Sequence, residues 1–396
     1  MRILLAGGGT GGHLYPVLSL ARALSGAPAD PGLCKPGETV PQIELALDLH
    51  DAAPALLFVS SDSALDAGVL ADIHIPTATV TSRPLSRTSP LAAAAGLGGN
   101  AVGVAQALPI VARFRPDVII ASGGYASVPV VTAAAMLRLA RRLPGLKIAL
   151  IEPNALPGVA NRTLSRAADE VWGAYADTAA YFPGKFVKTG IPVRPEFYNP
   201  LPKADARRRL GLDPNRSTVL VFGGSQGARK INVAVSAMVA RRRLPPEWQV
   251  LHITGKRDYE WMAAERKAEH NDNRYLAMAY LDDMAVAHAA SDVVVSRAGA
   301  SSLAEFAVSG LPALLVPYPH AAEDHQRKNA DVFVARGAAI VIDDAVLDAD
   351  TLYWALLDIM GDDKRAAMSA AARGLSQPRA LHLMVERILM GGIGKR

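Results

Sequence analysis

Apolar runs of four to six residues recur along the chain, and a turn and then a stretch with helical periodicity follow each one. In the first half they are Ile3-Leu4-Leu5-Ala6, Leu56-Leu57-Phe58-Val59, Val118-Ile119-Ile120-Ala121 and Lys147-Ile148-Ala149-Leu150-Ile151. The second half repeats the habit with Thr218-Val219-Leu220-Val221-Phe222, Val250-Leu251-His252-Ile253, Val293-Val294-Val295 and Ala313-Leu314-Leu315-Val316. Runs without polar alternation predict strands covered on both faces, and their alternation with helices predicts parallel sheets. Gly-rich turns open each half, so two successive Rossmann-like α/β domains fit better than one barrel.

A Pro-rich passage from Ile191 through Pro192, Pro195 and Pro200 to Pro202 separates the halves, and a helix is expected from Ala204 to Leu210. The boundary is therefore placed after residue 194, giving an N-terminal domain over 1–194 and a C-terminal one over 195–369. The tail reads as helical from Lys364 to Leu389, and its last part, 370–396, is expected to pack back on the first domain. Residues 25–54, rich in Pro, Gly and Ala, read as an insertion after the first helix.

The length of 396 residues suits two cores rather than one. The only cysteine, Cys34, rules out an internal disulfide and points to a reducing compartment. Met1 to Ala6 is too short for an export signal, and the apolar stretch Ala126 to Leu137 stops at Arg138, well short of a spanning helix. Charge is uneven: residues 1–82 carry 3 Lys/Arg against 8 Asp/Glu, whereas residues 83–194 carry 13 against 5. A basic rim beside the Ala/Gly/Leu-rich run between Arg83 and Arg115 suits an anionic membrane surface or an anionic substrate, and equally a solvated helix face. The basic residues lack interleaved aromatics, which argues against nucleic acid.

The first glycine loop is Gly7-Gly8-Gly9-Thr10-Gly11-Gly12-His13, with an apolar helix expected from Leu14 to Leu24. Gly7, Gly9 and Gly12 match the dinucleotide spacing, which brings backbone N–H groups and a helix dipole to a phosphate. The acid expected about 20 residues later for a nicotinamide ribose is missing, which argues against a dehydrogenase. His13 follows the loop directly, where the dipole favours a neutral ring able to take a proton; it serves equally well as a residue lining the turn.

The second loop, Gly223-Gly224-Ser225-Gln226-Gly227, also has the G-x-S-x-G form of a hydrolase elbow. A triad in chain order can be drawn from Ser225, Asp282 or Asp283, and His320 or His325. A first domain with its own phosphate-type loop has no place in such a hydrolase, and Ser225 reads better as a donor to a diphosphate. A third constellation runs from Ser296-Arg297 through Gly299 and Ala300 to Ser302 and Glu305. Ser302 and Glu305 fit a capping box, and they fit as well a helix start receiving phosphate with Glu305 accepting from a ribose diol. Past the next strand, Pro317-Tyr318-Pro319-His320 and Glu323-Asp324-His325-Gln326 put polar side chains where sugar hydroxyls are read, though taken alone they fit better an ordinary surface turn entering a helix.

Taken in order, these segments resemble the MurG family of glycosyltransferases, which add N-acetylglucosamine to lipid I. The matching motifs are Gly8 to His13, Ser122-Gly123-Gly124-Tyr125, Gly190 to Arg194, Gly223 to Arg229, Leu281 to Met284, Arg297 to Glu305, and His325-Gln326 with Asn329. The resemblance implies a GT-B fold, two parallel-sheet domains facing each other across a cleft, and inverting transfer from UDP-N-acetylglucosamine. By position it implies His13 as the base. It places Thr10, Gly11, Gly12, Asn154, Arg194, Ser225, Leu281, Ala300, Ser301, Ser302, Leu303, Ala304, Glu305 and Gln326 at the donor. It places Gly8, Gly9, Ser122, Gly123, Gly124 and Tyr125 at the acceptor pyrophosphate.

No cofactor and no metal are expected, since no Asp-x-Asp pair stands in a metal-binding setting. The expected partners are UDP-N-acetylglucosamine, lipid I, anionic lipid of the inner leaflet and a cell-wall or division complex, with the protein peripheral on the cytoplasmic side of the membrane. The alternatives are a glycolipid synthase of the same fold and a serine hydrolase using Ser225. Three features depart from the family: Ile151-Glu152-Pro153-Asn154 replaces His-Glu-Gln-Asn, Val59-Ser60-Ser61-Asp62 lacks Gly-Thr, and the 25–54 insertion is long.

Overall fold

The computed structural model describes residues 1–8, 11–25, 54–63, 70, 74–83, 90–224, 227–241, 244–269 and 273–394. The insertion call therefore lies outside the described residues, apart from Ser25 and Pro54 at its ends, and so do Gly9, Thr10, Cys34, Arg87 and Ser225. The chain divides into two compact units, residues 1–194 with 377–396, and residues 195–376.

Unit 1 is a seven-stranded parallel sheet in the order β3-β2-β1-β4-β5-β6-β7. Its strands are β1 (Arg2–Ala6), β2 (Ala55–Ser61), β3 (Thr77–Val80), β4 (Val118–Ala121), β5 (Lys147–Glu152), β6 (Glu170–Gly173) and β7 (Phe186–Lys188). Ile3, Leu4 and Leu5 are fully buried in succession, as a strand with helices on both faces requires. Those helices include α1 (Gly11–Leu24), α2 (Pro90–Phe114), α3 (Ser127–Leu139) and α4 (Val159–Leu164).

Unit 2 is a six-stranded parallel sheet in the order β10-β9-β8-β11-β12-β13. Its strands are β8 (Ser217–Phe222), β9 (Trp248–Ile253), β10 (Tyr275–Met278), β11 (Val293–Ser296), β12 (Ala313–Leu315) and β13 (Ala339–Val341). Around it lie α5 (Lys203–Arg209), α6 (Arg229–Ala240), α7 (Lys256–Glu269), α8 (Met284–Ala290), α9 (Ala300–Ser309), α10 (His325–Ala335), α11 (Ala349–Met360) and α12 (Asp362–Gly374).

The last helix, α13 (Ala380–Leu389), belongs to unit 1, and the chain returns to that unit at residue 377 rather than 370. Met384, Val385 and Ile388 are fully buried in the same core cluster as Leu14, Val17 and Leu18 of α1. Each such burial contributes about 2 kcal/mol. A polar anchor adds direction: the buried carboxylate of Glu170 accepts from Arg387 Nε at 2.9 Å, Trp172 Nε1 at 2.7 Å and Gly394 N at 2.8 Å.

In both sheets the chain leaves its first strand on one side and returns on the other, at β4 in unit 1 and β11 in unit 2. Such a switch opens a crevice at the carboxyl ends of the two adjoining strands, where α/β folds bind ligands.

Candidate active site

In unit 1 the switch point lies between β1 and β4, so it joins the loop after Ala6 to the loop after Ala121. α1 starts at Gly11, three residues earlier than the expected Leu14, because Gly12 and His13 already take helical form. His13 thus stands in the first helical turn rather than after the loop. Its Nδ1 lies 2.6 Å from the Ser122 carbonyl, and Ser122 Oγ donates back to the His13 carbonyl at 2.5 Å. A carbonyl only accepts, so Nδ1 carries the hydrogen, and in the neutral ring the lone pair is on Nε2.

The two loops press together. A Cβ added at Gly124 would stand 2.3 Å from the Gly8 carbonyl oxygen and 2.9 Å from His13 Cβ, so only glycine permits the approach. Gly8, Ser122, Gly123 and Gly124 are therefore brought together with His13. Tyr125 follows them, 40% exposed.

Beside them, at the end of β5, Glu152 is buried and accepts four hydrogen bonds: from Asn154 N and Nδ2 at 2.9 and 3.1 Å, from Gly158 N at 3.1 Å and from Asn161 Nδ2 at 3.0 Å. Burial pushes its carboxyl up to about 7 against the lowering effect of those donors. Asn154 is thereby held by its own neighbour, and Ile151, where the family has His, is wholly inside the core. The sequence singled out Asn154 and missed Glu152, whose only signal was its place between the two departures from the family pattern. Arg194, which ends the first segment of unit 1, lies over the Tyr15 ring at 5.2 Å.

In unit 2 the switch lies between β8 and β11. The residues flanking Ser225 and Gln226 form a tight reversal, with Gly227 N donating to the Gly224 carbonyl at 3.0 Å. After β11, α9 takes Gly299 as its N-cap, with no capping side chain. Ser302 lies inside the helix, so the capping-box reading of Ser302 and Glu305 is corrected: the helix starts three residues earlier than that box requires. Ala300 to Ala304 form the first turns and Glu305 follows, largely buried. A helix start without a capping side chain retains its attraction for an anion.

Gln326 Oε1 accepts from Tyr318 N at 2.9 Å and Ala298 N at 3.3 Å, so the oxygen is committed to the backbone and the amide nitrogen is the group left to donate elsewhere. Leu281 is half-buried against the apolar cluster on its side of the sheet. Asp283 caps α8 through Val286 N at 3.2 Å and pairs with Arg209 at 3.1 Å. It is committed to those partners, which counts against the version of the hydrolase triad that uses Asp283. On the basic rim, Arg83 is paired with Asp62 at 2.8 Å, so part of the expected positive charge is neutralised, while Arg113 and Arg115 are exposed.

Comparison with known proteins bears on both units. The N-terminal domain of glycosyltransferase family 28 matches residues 36–172, and the C-terminal domain of that family matches residues 218–384. The chain is 36% identical to the UDP-N-acetylglucosamine–N-acetylmuramyl-(pentapeptide) pyrophosphoryl-undecaprenol N-acetylglucosamine transferase of Moorella thermoacetica, over 98% of each chain. It is also 36% identical to the protein of the same name from Desulforamulus reducens, over 98% of this chain and 99% of that one. Among solved structures, MurG of Acinetobacter baumannii shares the fold with a TM-score of 0.69 at 22% identity, over 98% of this chain and 99% of that one. The calicheamicin glycosyltransferase CalG4 does so with a TM-score of 0.65 at 13% identity, over 100% and 99%.

Proposed function

The chain belongs to glycosyltransferase family 28, and from that premise we propose that it transfers N-acetylglucosamine from UDP-N-acetylglucosamine to the C4 hydroxyl of the muramyl residue of lipid I, with inversion, giving lipid II for peptidoglycan synthesis. The full-length relatives carry the name of that transfer, which disfavours the glycolipid-synthase and hydrolase alternatives.

The observation that carries the mechanism is the 2.6 Å contact between His13 Nδ1 and the Ser122 carbonyl. It calls for the ring hydrogen on Nδ1, which supports a neutral ring accepting a proton at Nε2, as a general base must. The acceptor oxygen attacks C1 of the donor sugar, its proton passes to His13 Nε2, and the bond from C1 to the UDP oxygen breaks. Arg194, Ser225 and the first turn of α9, Ala300 to Ala304, meet the charge developing on UDP. Glu305 holds the ribose, Leu281 the uracil, and Asn154 and Gln326 the sugar; Thr10, Gly11 and Gly12 complete the donor side. Gly8, Gly9 and Ser122 to Tyr125 cradle the acceptor pyrophosphate. Fixed donors and a cation take the part a metal plays elsewhere, so the chemistry is proposed to be metal-independent.

UDP release from the purified protein, with and without a short-chain lipid I analogue, tests this. Acceptor-dependent release, unaffected by EDTA, that falls by about 10²-fold or more in His13→Ala is expected. Acceptor-independent release, or cleavage of simple esters through Ser225, would overturn it.

Among the described residues no helix is long and apolar enough to cross a membrane. The acceptor's lipid chain stays in the bilayer, so the enzyme is proposed to act peripherally, at the cytoplasmic face. Leu97 and Val102 of α2, 62% and 52% exposed, with Arg113 and Arg115 at its end, support docking through that helix on anionic lipid. Charge reversal of Arg83, Arg87, Arg113 and Arg115 together should abolish binding to vesicles rich in phosphatidylglycerol; binding that survives it refutes the proposal.

A further inference from the structure

Behind the glycine loop of unit 2 runs a chain of buried polar groups that the reaction as described leaves unused. His252, in β9, and Asn232, in α6, are both fully buried. His252 Nδ1 lies 2.7 Å from the Tyr275 hydroxyl, and Nε2 lies 3.0 Å from Asn232 Oδ1. Asn232 Nδ2 reaches the Thr254 carbonyl and Asp258 Oδ2, each at 2.9 Å. Asp258 also pairs with Arg229, the first residue of α6, at 3.2 Å, and the Arg229 guanidinium lies over the Trp261 ring at 3.9 Å.

The partners fix every hydrogen. Asn232 faces a carbonyl and a carboxylate on one side, so its amide nitrogen must point there and its oxygen toward His252. His252 Nε2 then carries the hydrogen, and Nδ1 accepts from Tyr275. Burial holds the His252 ring neutral by pushing its pKa down to about 3, consistent with this arrangement. All donors in the relay thus point one way, from Tyr275 toward the Asp258 carboxylate, and bonds so aligned strengthen one another.

The relay ends on the two loops that the adjacency of β8 and β9 brings side by side. Gly227, at φ +73°, packs so closely that an added Cβ would stand 2.4 Å from the Thr254 carbonyl oxygen, the atom Asn232 holds. We infer that Tyr275, His252, Asn232 and Asp258 form a positioning relay for nucleotide diphosphate binding, with Asn232 fixing the Thr254 carbonyl on which the Gly227 end of the phosphate loop rests. The relay touches neither substrate. It acts through the shape of the loop and the anchored start of α6, and it rests on the reading of that loop as part of the donor site.

The test measures Kd for UDP by calorimetry and KM for donor and acceptor in wild type, Asn232→Ala and Tyr275→Phe. Asn232→Ala strips two donated bonds, one to a charged group, and should raise the UDP Kd and donor KM by about tenfold, with kcat and acceptor KM within about twofold. Tyr275→Phe removes only the outermost donor and should raise the same two quantities by about two- to threefold. A folded Asn232→Ala with unchanged UDP affinity, or losses falling equally on donor and acceptor, overturns the relay. If Asn232→Ala does not fold, Tyr275→Phe decides alone: unchanged UDP affinity there refutes it. A wild type that binds no UDP would instead refute the donor-site reading.

Discussion

After β1 and after β8 the chain builds the same device twice, a glycine loop entering a helix beside the strand on the far side of a switch point. In unit 1 the helix begins within the loop sequence, and His13 in its first turn is half-buried, tied by one nitrogen to the facing carbonyl of Ser122. In unit 2 a histidine of the neighbouring strand β9, His252, is inside the sheet with both nitrogens engaged. The proposed mechanism asks the first imidazole to take a proton at Nε2; the second donates through Nε2 to Asn232 and accepts at Nδ1 from Tyr275. Under the proposed mechanism the first imidazole serves proton transfer and the second serves grip on the donor.

Crossed substitutions at the two close approaches break the comparison most severely. Gly124→Ala drives a methyl group into the Gly8 carbonyl and against His13. Displacing a base by about 1 Å can lower turnover by about 10²-fold, so kcat should fall to that extent while UDP affinity stays within about twofold. Gly227→Ala combines positive φ with a clash on the Thr254 carbonyl, a strain of roughly 1–2 kcal/mol before the clash is counted. It should weaken UDP binding by about tenfold or more, seen in calorimetry, and change kcat little at saturating donor. If both variants lose the same parameter, the two loops do not divide the work as described.

The sequence carries one side of this division more plainly than the other. The apolar runs marked β1, β2, β4, β5, β8, β9, β11 and β12, because strands buried on both faces admit almost no polar residue. The strands Thr77–Val80, Glu170–Gly173, Phe186–Lys188, Tyr275–Met278 and Ala339–Val341 went unread; Thr77, Thr79, Glu170 and Lys188 interrupt the apolar run in three of them. His13 and the loops were legible because glycines at fixed spacing declare a backbone need. The relay was not. His252 hid in an apolar run, and Asn232, Asp258 and Tyr275 become neighbours only when β8, β9 and β10 lie side by side. Glu152 was hidden likewise, its four donors coming from the turn and helix that follow it.

Two carboxylates on neighbouring strands sharpen the contrast within unit 1 through stability rather than turnover. Glu170 on β6 is held below the usual carboxylate range: burial pushes it upward, but Arg387, Trp172 and the Gly394 amide together outweigh that. Its folded state binds a proton less readily than the unfolded chain, so its stabilisation is present above the ordinary value of 4.5 and is lost as pH falls through the lower folded value. Glu170→Gln should therefore destabilise unit 1 by about 3 kcal/mol at neutral pH, the usual loss for a broken buried pair, and by progressively less in acid. Glu152 on β5 runs the opposite way, because its folded value of about 7 lies above the ordinary 4.5. Its contribution is fully present below 4.5 and is lost as pH rises through 7, a change of roughly 3 kcal/mol at most. Urea unfolding across pH, followed by amide exchange along β5 and β6, should show the Glu170 difference shrinking in acid. In the same series, Glu152→Gln should flatten the fall in stability between pH 5 and 7. Parallel slopes for the two variants would mean that burial, rather than the donors around each carboxyl, sets both.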